Sequence, residues 1–268
     1  MADFDIAAGM LEYFFRKEAG GAMILSRPRA IVSVPFGATS TEKLSFYQVA
    51  SRAGAKSVGF VPELLAAALG CGMRIEEPKG KMIVNIGGGA TEAAVLSFGG
   101  VVLANSVRVG GETFDNAISN FLRRKYGVAI GDVTAEQLKI QVGSVLPGGE
   151  ERSLEVRGRN MRSCGRPISI TVMTSEIMDT LRGPASQIIE CIRTTFERTP
   201  PELCADIYES GLVLTGGVSM LRGLGELIEK RTGIRTLPVK KPLDSVAAGL
   251  GVIIEKDDPY GVIENIDR

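Results

Sequence analysis

Between Met82 and Arg108 three apolar runs, Met82 to Ile86, Thr91 to Ser97 and Val101 to Arg108, follow one another with only short glycine turns between them. Successive strands with so little chain to join them can only pair as a buried antiparallel meander. Asn85, Glu92 and Asn105 interrupt the stretch too often for it to cross a bilayer.

The chain before the meander has another rhythm. Ile6, Met10, Phe14 and Phe15 recur at helical spacing from Asp5 to Glu18. Arg29 to Val34 is a short apolar run that stops at Pro35, and Ser57 to Val61 is a second. Between them Thr39 and Glu42 stand at capping-box spacing, opening a helix that Gly54 would end. An alanine-rich helix, Glu63 to Gly70, follows. Strand, helix, strand, helix implies a right-handed crossover and a parallel sheet. The change to a meander near Gly80 marks a domain boundary.

Beyond it the pattern predicts helices over Phe114 to Tyr126, Ala135 to Val142 with Thr134 as N-cap, Ser175 to Phe196, Met220 to Arg231 and Leu243 to Ile254. Ser153 to Val156, Ile168 to Met173 and Gly211 to Leu214 read as strands, and Ile177, Leu181, Ile188 and Ile189 share one side of the long helix.

Composition removes several function classes. Lysine plus arginine equals aspartate plus glutamate at 31 each, so no global field advertises a nucleic-acid partner. The chain has no histidine, hence no imidazole acid–base catalysis. Cys71, Cys164, Cys191 and Cys204 form no C-x-x-C pair and fit reduced, mostly buried thiols. The acidic opening Met1-Ala2-Asp3-Phe4-Asp5 is unlike a secretory signal, which points to a soluble, cytoplasmic protein.

Two glycine turns could hold phosphate. Ile86-Gly87-Gly88-Gly89-Ala90-Thr91 joins two strands; its backbone could form an anion nest, or it could be a tight hairpin turn. It lacks the helix of a Rossmann fingerprint and the Gly-Lys-Ser/Thr of a Walker loop. Thr215-Gly216-Gly217-Val218-Ser219 closes another apolar strand and feeds a helix, where an anion or a serine cap would be equally at home. Two such turns in one chain favour a nucleotide.

At this point the residues resemble a family. IGGGATE, SVRVGGETFDNAI and RRKYG within Met82 to Gly131, EVRGRN at Glu155 to Asn160, SRPRAIVSVP at Ser26 to Pro35, and LTGG with MLRGL from Leu214 to Leu224 are similar to the MreB family of bacterial actin-like cell-shape proteins. The likeness runs from the first residue to about the last helix. It implies an α/β, actin-like (ribonuclease-H-like) two-domain ATPase fold. Residues 1–79, with 240–268 returning to them, would form the first domain; residues 80–239 would form the second, with a smaller subdomain inserted at about 109–174.

The resemblance also implies roles. Gly87, Gly88 and Gly89 would touch the β- and γ-phosphates, and Gly216, Gly217, Val218 and Ser219 would be the second nucleotide loop. Glu136, Gln137, Leu138 and Lys139 would lie on the adenosine side, although Glu136 and Lys139 alone read as a surface pair. Glu63 would orient the attacking water, a task a carboxylate can perform; without the family it is a carboxylate at a helix start. ATP with Mg2+ would be the assembly cofactor, and no residue is assigned to the metal. Met23, Ile24 and Leu25, flanked by Arg27 and Arg29, match a membrane-contacting loop; they could equally start the buried strand. The implied function is a filament subunit at the inner face of the cell membrane that guides wall synthesis and rod shape. Its implied partners are further copies or a complete homologue, the membrane surface and the wall-synthesis machinery, with no nucleic acid.

Four departures qualify the resemblance. The family's first strand and its G-I-D-L-G-T loop precede the point matched by Met1, so a truncated or misassigned start and an incomplete first domain are expected. Asn85 replaces an aspartate that helps organise hydrated magnesium, which weakens the local field. Pro62-Glu63-Leu64 replaces Glu-Glu-Pro, and Val218 replaces a glycine, a poor exchange if that position needs positive φ. These features suit a non-hydrolysing paralogue that regulates a complete homologue as an alternative function. A sugar-kinase-like phosphotransferase is a further alternative, but no catalytic aspartate or sugar pocket is evident.

Overall fold

The computed structural model describes residues 4–19, 27–256, 258 and 261–265. Met23, Ile24 and Leu25 lie outside the described residues. The chain divides into two compact units, Met1–Met73 with Val246–Arg268, and Arg74–Ser245.

In the first unit β1 (Arg29–Val34) runs parallel to β2 (Ser57–Pro62), joined by α2 (Ser40–Arg52) as the crossover requires. A short β11 (Glu264–Asn265) pairs antiparallel with the other side of β2. α2 begins where the capping box places it: Glu42 N donates to Thr39 Oγ1 at 3.2 Å and Thr39 N donates to Glu42 Oε2 at 2.8 Å. α1 (Phe4–Ala19) lays Leu11 and Phe15 against a core of Val34, Ala50, Ala55, Val58 and Phe60. α3 (Glu63–Gly70) is buried from Leu64 to Leu69, which is why its sequence is apolar on every side. It meets α9 (Ser245–Glu255) at Gly249, where a Cβ would lie 1.7 Å from the Ala66 carbonyl oxygen. Only glycine permits that approach.

The second unit is built on a five-stranded sheet in the order β10-β9-β3-β4-β5. β3 (Lys81–Ile86), β4 (Thr91–Ser97) and β5 (Gly100–Val107) form the expected antiparallel meander. β9 (Leu212–Thr215) joins β3 in parallel, and β10 (Thr236–Pro238) joins β9. A smaller antiparallel sheet combines β6 (Val128–Ala129), β7 (Ser153–Asn160) and β8 (Pro167–Met173). One continuous core packs the sheets against α4 (Gly111–Tyr126), α5 (Asp132–Val142), α6 (Thr174–Glu197), α7 (Pro201–Ser210) and α8 (Leu224–Thr232). Ile177, Leu181, Ile188 and Ile189 all enter that core from α6.

Several elements differ from their sequence expectations. α4 starts at Gly111 rather than Phe114, because its first amides find acceptors in the glycine turn before β4. α5 starts at Asp132 after an extended Gly131, so Thr134 lies within the helix and caps nothing. The expected helix from Met220 resolves into a short 3-10 turn, Gly217–Met220, and α8 from Leu224, split by Gly223 in the left-handed region. α7, opened by Pro201 at its first position, and the very short β6, β10 and β11 are additions to the elements expected from sequence. Only Cys191 is buried, Cys71 and Cys204 being half-buried and Cys164 exposed, a correction to mostly buried thiols; burial pushes the Cys191 thiol up to about 11. Among the described residues no helix is long and apolar enough to cross a membrane.

Candidate functional site

The two glycine turns meet at the ends of β3 and β9, which lie side by side with Asn85 opposite Thr215. Gly216, at φ +86, packs so closely that a Cβ there would lie 2.3 Å from the Ile86 carbonyl oxygen and 2.7 Å from Asn85 Oδ1. Its amide donates to the Pro242 carbonyl at 3.1 Å, and Thr215 Oγ1 donates to the same oxygen. Gly216 is therefore a glycine by internal necessity.

Gly88 and Gly89 differ. A Cβ at either would meet nothing within 4 Å, and neither has positive φ. Their amides donate to no described residue, while the Gly87 and Gly88 carbonyls accept from the Gly111 and Glu112 amides at 3.0 and 2.9 Å. The loop thus turns its acceptors onto the start of α4 and leaves two adjacent donors free. Among the described residues nothing requires those two positions to be bare; close approach by something else would. Gly110 is the opposite case, since a Cβ there would lie 2.5 Å from the Gly88 carbonyl oxygen.

In the second turn the amides of Gly217 and Val218 also lack a described acceptor. Ser219 Oγ donates to the Gly216 carbonyl at 2.6 Å, closing the turn on itself. Val218 is not among the residues of positive φ, so the branched side chain is unstrained. It is buried, its Cγ2 lying 3.4 Å from where a Gly111 Cβ would stand; Lys139 Nζ is 3.0 Å and Gly88 Cα 3.6 Å from the same point. Both turns, α4 and α5 therefore converge at Gly111.

A cleft of about 460 Å³ opens beside this point, lined by Gly88, Gly111, Glu112, Asp115, Asn116, Asp132, Val133, Glu136 and Lys139. Lys139 is buried; its Nζ donates to Asp115 Oδ2 at 2.8 Å and to the Gly111 carbonyl at 3.2 Å. Burial raises the Asp115 carboxyl above its ordinary value, opposed by the bond and charge of Lys139. Its second oxygen, Oδ1, is buried with no partner among the described residues. Glu136 lines the cleft, Gln137 is exposed outside its lining, and Leu138 points into the core. Glu63 opens α3 in the first unit, half-buried.

The cleft residues Asp115, Glu112, Asn116 and Asp132 were given no role from sequence, although Gly110 to Asp115 lie inside one of the motifs that carried the resemblance. No spacing rule marks Asp115; its partner Lys139 is 24 residues away and is brought to it by the packing of α5 on α4.

Comparisons with known proteins agree with this architecture. The family model for the MreB/Mbl protein matches residues 1–260. The chain is 43% identical over 261 residues to the cell shape-determining protein MreB of Escherichia coli K12, covering 97% of this chain and 75% of that protein. It is 41% identical over 258 residues to the cell shape-determining protein Mbl of Bacillus cereus, covering 96% and 77%. Among solved structures, MreB5 of Spiroplasma citri bound to ADP superposes with a TM-score of 0.88 at 32% identity, covering 96% of this chain and 78% of that one. A MamK double helical filament superposes at 0.77 with 19% identity, over 95% of this chain and 76% of that one, a likeness of fold alone. The chain belongs to the MreB/Mbl family of actin-like, cell-shape-determining proteins.

Proposed function

We propose that this chain binds ATP at the Gly88–Gly111–Lys139 cleft and assembles with copies of itself into filaments that lie at the cell membrane and guide wall synthesis. The observation that carries the nucleotide reading is the pair of free amides at Gly88 and Gly89, beside a loop side open to close approach. Gly217 and Val218 offer a second pair. Phosphate oxygens fit such donors, and the cleft with its buried, unpartnered Asp115 Oδ1 suits the hydroxyl-bearing end of a nucleotide. MreB5 of Spiroplasma citri has been solved with ADP and with AMPPNP, which supports the same ligand class.

Among the described residues no cluster of three or more His, Cys, Asp or Glu could hold a metal. Magnesium would accordingly arrive with the phosphates, with buried Asn85 as the neutral side chain beside the joined turns. That neutrality favours a second reading, a nucleotide-binding partner of another family member with little hydrolysis of its own. Glu63 is the carboxylate we assign to water orientation, so Glu63→Ala would lower phosphate release without weakening ATP binding.

Pelleting and electron microscopy of the chain with ATP and Mg2+ test the assembly reading. ATP-dependent filaments are expected. Filaments only in the presence of another family member would favour the second reading, and no polymer in either case would refute both.

A further inference from the structure

α6, α8 and the loop that follows α5 enclose a second cavity of about 480 Å³, which shares no lining residue with the Gly88–Gly111–Lys139 cleft. Its size suits a small organic ligand. The floor is apolar: Ile189 comes from α6, Leu227 from α8, and Leu146 and Pro147 from the loop. The rim is cationic, with Arg182 on α6 and Lys230 and Arg231 in the last turn of α8.

The protein itself fixes these walls. Gly223, at φ +76, lies so close to the loop that a Cβ there would stand 2.9 Å from Leu146 Cβ. The Val145 amide donates to the Arg222 carbonyl at 3.0 Å, and Ser144 Oγ donates to the Leu146 carbonyl at 3.0 Å. Arg182 Nε donates to the Val145 carbonyl at 3.3 Å, which ties α6 to the same loop. The hollow is therefore formed before any ligand arrives, and binding need not order it.

Charge separates the two cavities. Glu112, Asp115, Asp132 and Glu136 line the first against a single cation, Lys139. Three cations and no carboxylate line the second. Arg182 Nη1 is paired with Asp179 at 2.7 Å, whereas Lys230 and Arg231 form no ion pair with a described residue. Basic residues in a helix's last turn are ordinarily explained by the dipole. That explanation places no demand on what lies between them and the next helix, and here it is an apolar hollow with a third cation on its far side.

We propose that this cavity binds a small amphipathic phosphate ester, its apolar part on Leu146, Ile189 and Leu227 and its phosphate between Arg182, Lys230 and Arg231. A phosphate monoester carries close to two negative charges at neutral pH and three strong acceptor oxygens. That head matches a guanidinium fork with two further cations better than a single carboxylate does. The site is independent of the nucleotide reading and stands whether or not the first cleft binds ATP.

The probe is n-octyl phosphate, titrated as a monomer into the full chain by calorimetry. One saturable site is expected. Octanol and inorganic phosphate, the two halves of the probe, should each bind at least about tenfold more weakly. Lys230→Glu with Arg231→Glu reverses two exposed rim charges and should cost at least about tenfold in affinity at an unchanged melting temperature. Ser186→Trp, from an exposed position of α6 that lines the cavity, should fill the hollow and cost as much. Saturating ATP should leave the titration unchanged. No saturable binding by the folded chain, binding undiminished in either variant, inorganic phosphate binding as tightly as the probe, or displacement of the probe by ATP would each overturn the proposal. Vesicles containing phosphatidate separate the sources of the ligand. Vesicle binding that both variants abolish would support the site and assign it a membrane lipid. Probe binding without vesicle binding would support it and assign a soluble phosphate ester.

Discussion

Lys139 Nζ lies 2.8 Å from Asp115 Oδ2, and this largely buried pair ties α5 to α4 at the edge of the cleft. Burial raises the Asp115 carboxyl even with that partner in place. A carboxyl raised on folding favours the fold when protonated and disfavours it as pH rises through its folded value. Lys139→Met removes the opposing cation and pushes the carboxyl further up. The variant should lose about 1–3 kcal/mol at pH 7, and the loss should shrink toward pH 4 as Asp115 takes up its proton. Urea unfolding at several pH values measures this; a loss independent of pH would count against it.

Arg222 joins the second glycine turn to α5. Its Nε donates to the Gly143 carbonyl at 2.9 Å, and Nη2 donates to the Val142 carbonyl at 2.6 Å and to Thr174 Oγ1 at 3.0 Å. A cation placed on the last carbonyls of a helix is favoured by both the bonds and the dipole. Arg222→Ala should cost about 2–4 kcal/mol, since it leaves several part-buried acceptors unmet. Arg222→Lys should recover only part of this, because an ammonium cannot reach all the acceptors of a planar fork. Thermal and urea unfolding of both variants report it.

Gly216→Ala should be severely destabilising. The new Cβ would stand 2.3 Å from the Ile86 carbonyl oxygen on a backbone of φ +86. Overpacking and left-handed strain together cost about 2–4 kcal/mol. A stability within about 0.5 kcal/mol of the unaltered chain would show that the two turns are not locked together as described.

Thiol labelling separates the cysteines. Exposed Cys164 should react first with an aromatic disulfide at pH 8, while Cys191, buried and raised to about 11, should stay inert until unfolding. Cys164→Ser should remove the fast phase and leave stability unchanged.

Much of the fold was legible because local chemistry and long-range packing agree. Thr39 and Glu42 announce α2, and the run from Met82 to Arg108 has no arrangement but a meander. What the sequence hid depends on distant partners. α4 begins three residues early because Gly111 and Glu112 find the Gly87 and Gly88 carbonyls, and no local pattern records that. Asp115 becomes a cleft residue only when α5 brings Lys139 to it. Val218 read as a misfit for a glycine position, yet the 3-10 turn keeps it at negative φ and buries it. The glycines themselves look alike in sequence; packing alone separates Gly216 and Gly110, which must be bare, from Gly88 and Gly89, which have room for a methyl group.

That distinction offers the most direct measurement of the nucleotide reading: calorimetric titration of ATP with Mg2+ into the unaltered chain and into Gly88→Ala. The unaltered chain should bind saturably. Gly88→Ala should keep the same melting temperature while losing at least tenfold in affinity, because its methyl group would occupy space the protein does not use. No binding by a folded, unaltered chain, or undiminished binding by Gly88→Ala, would contradict a phosphate site at this loop.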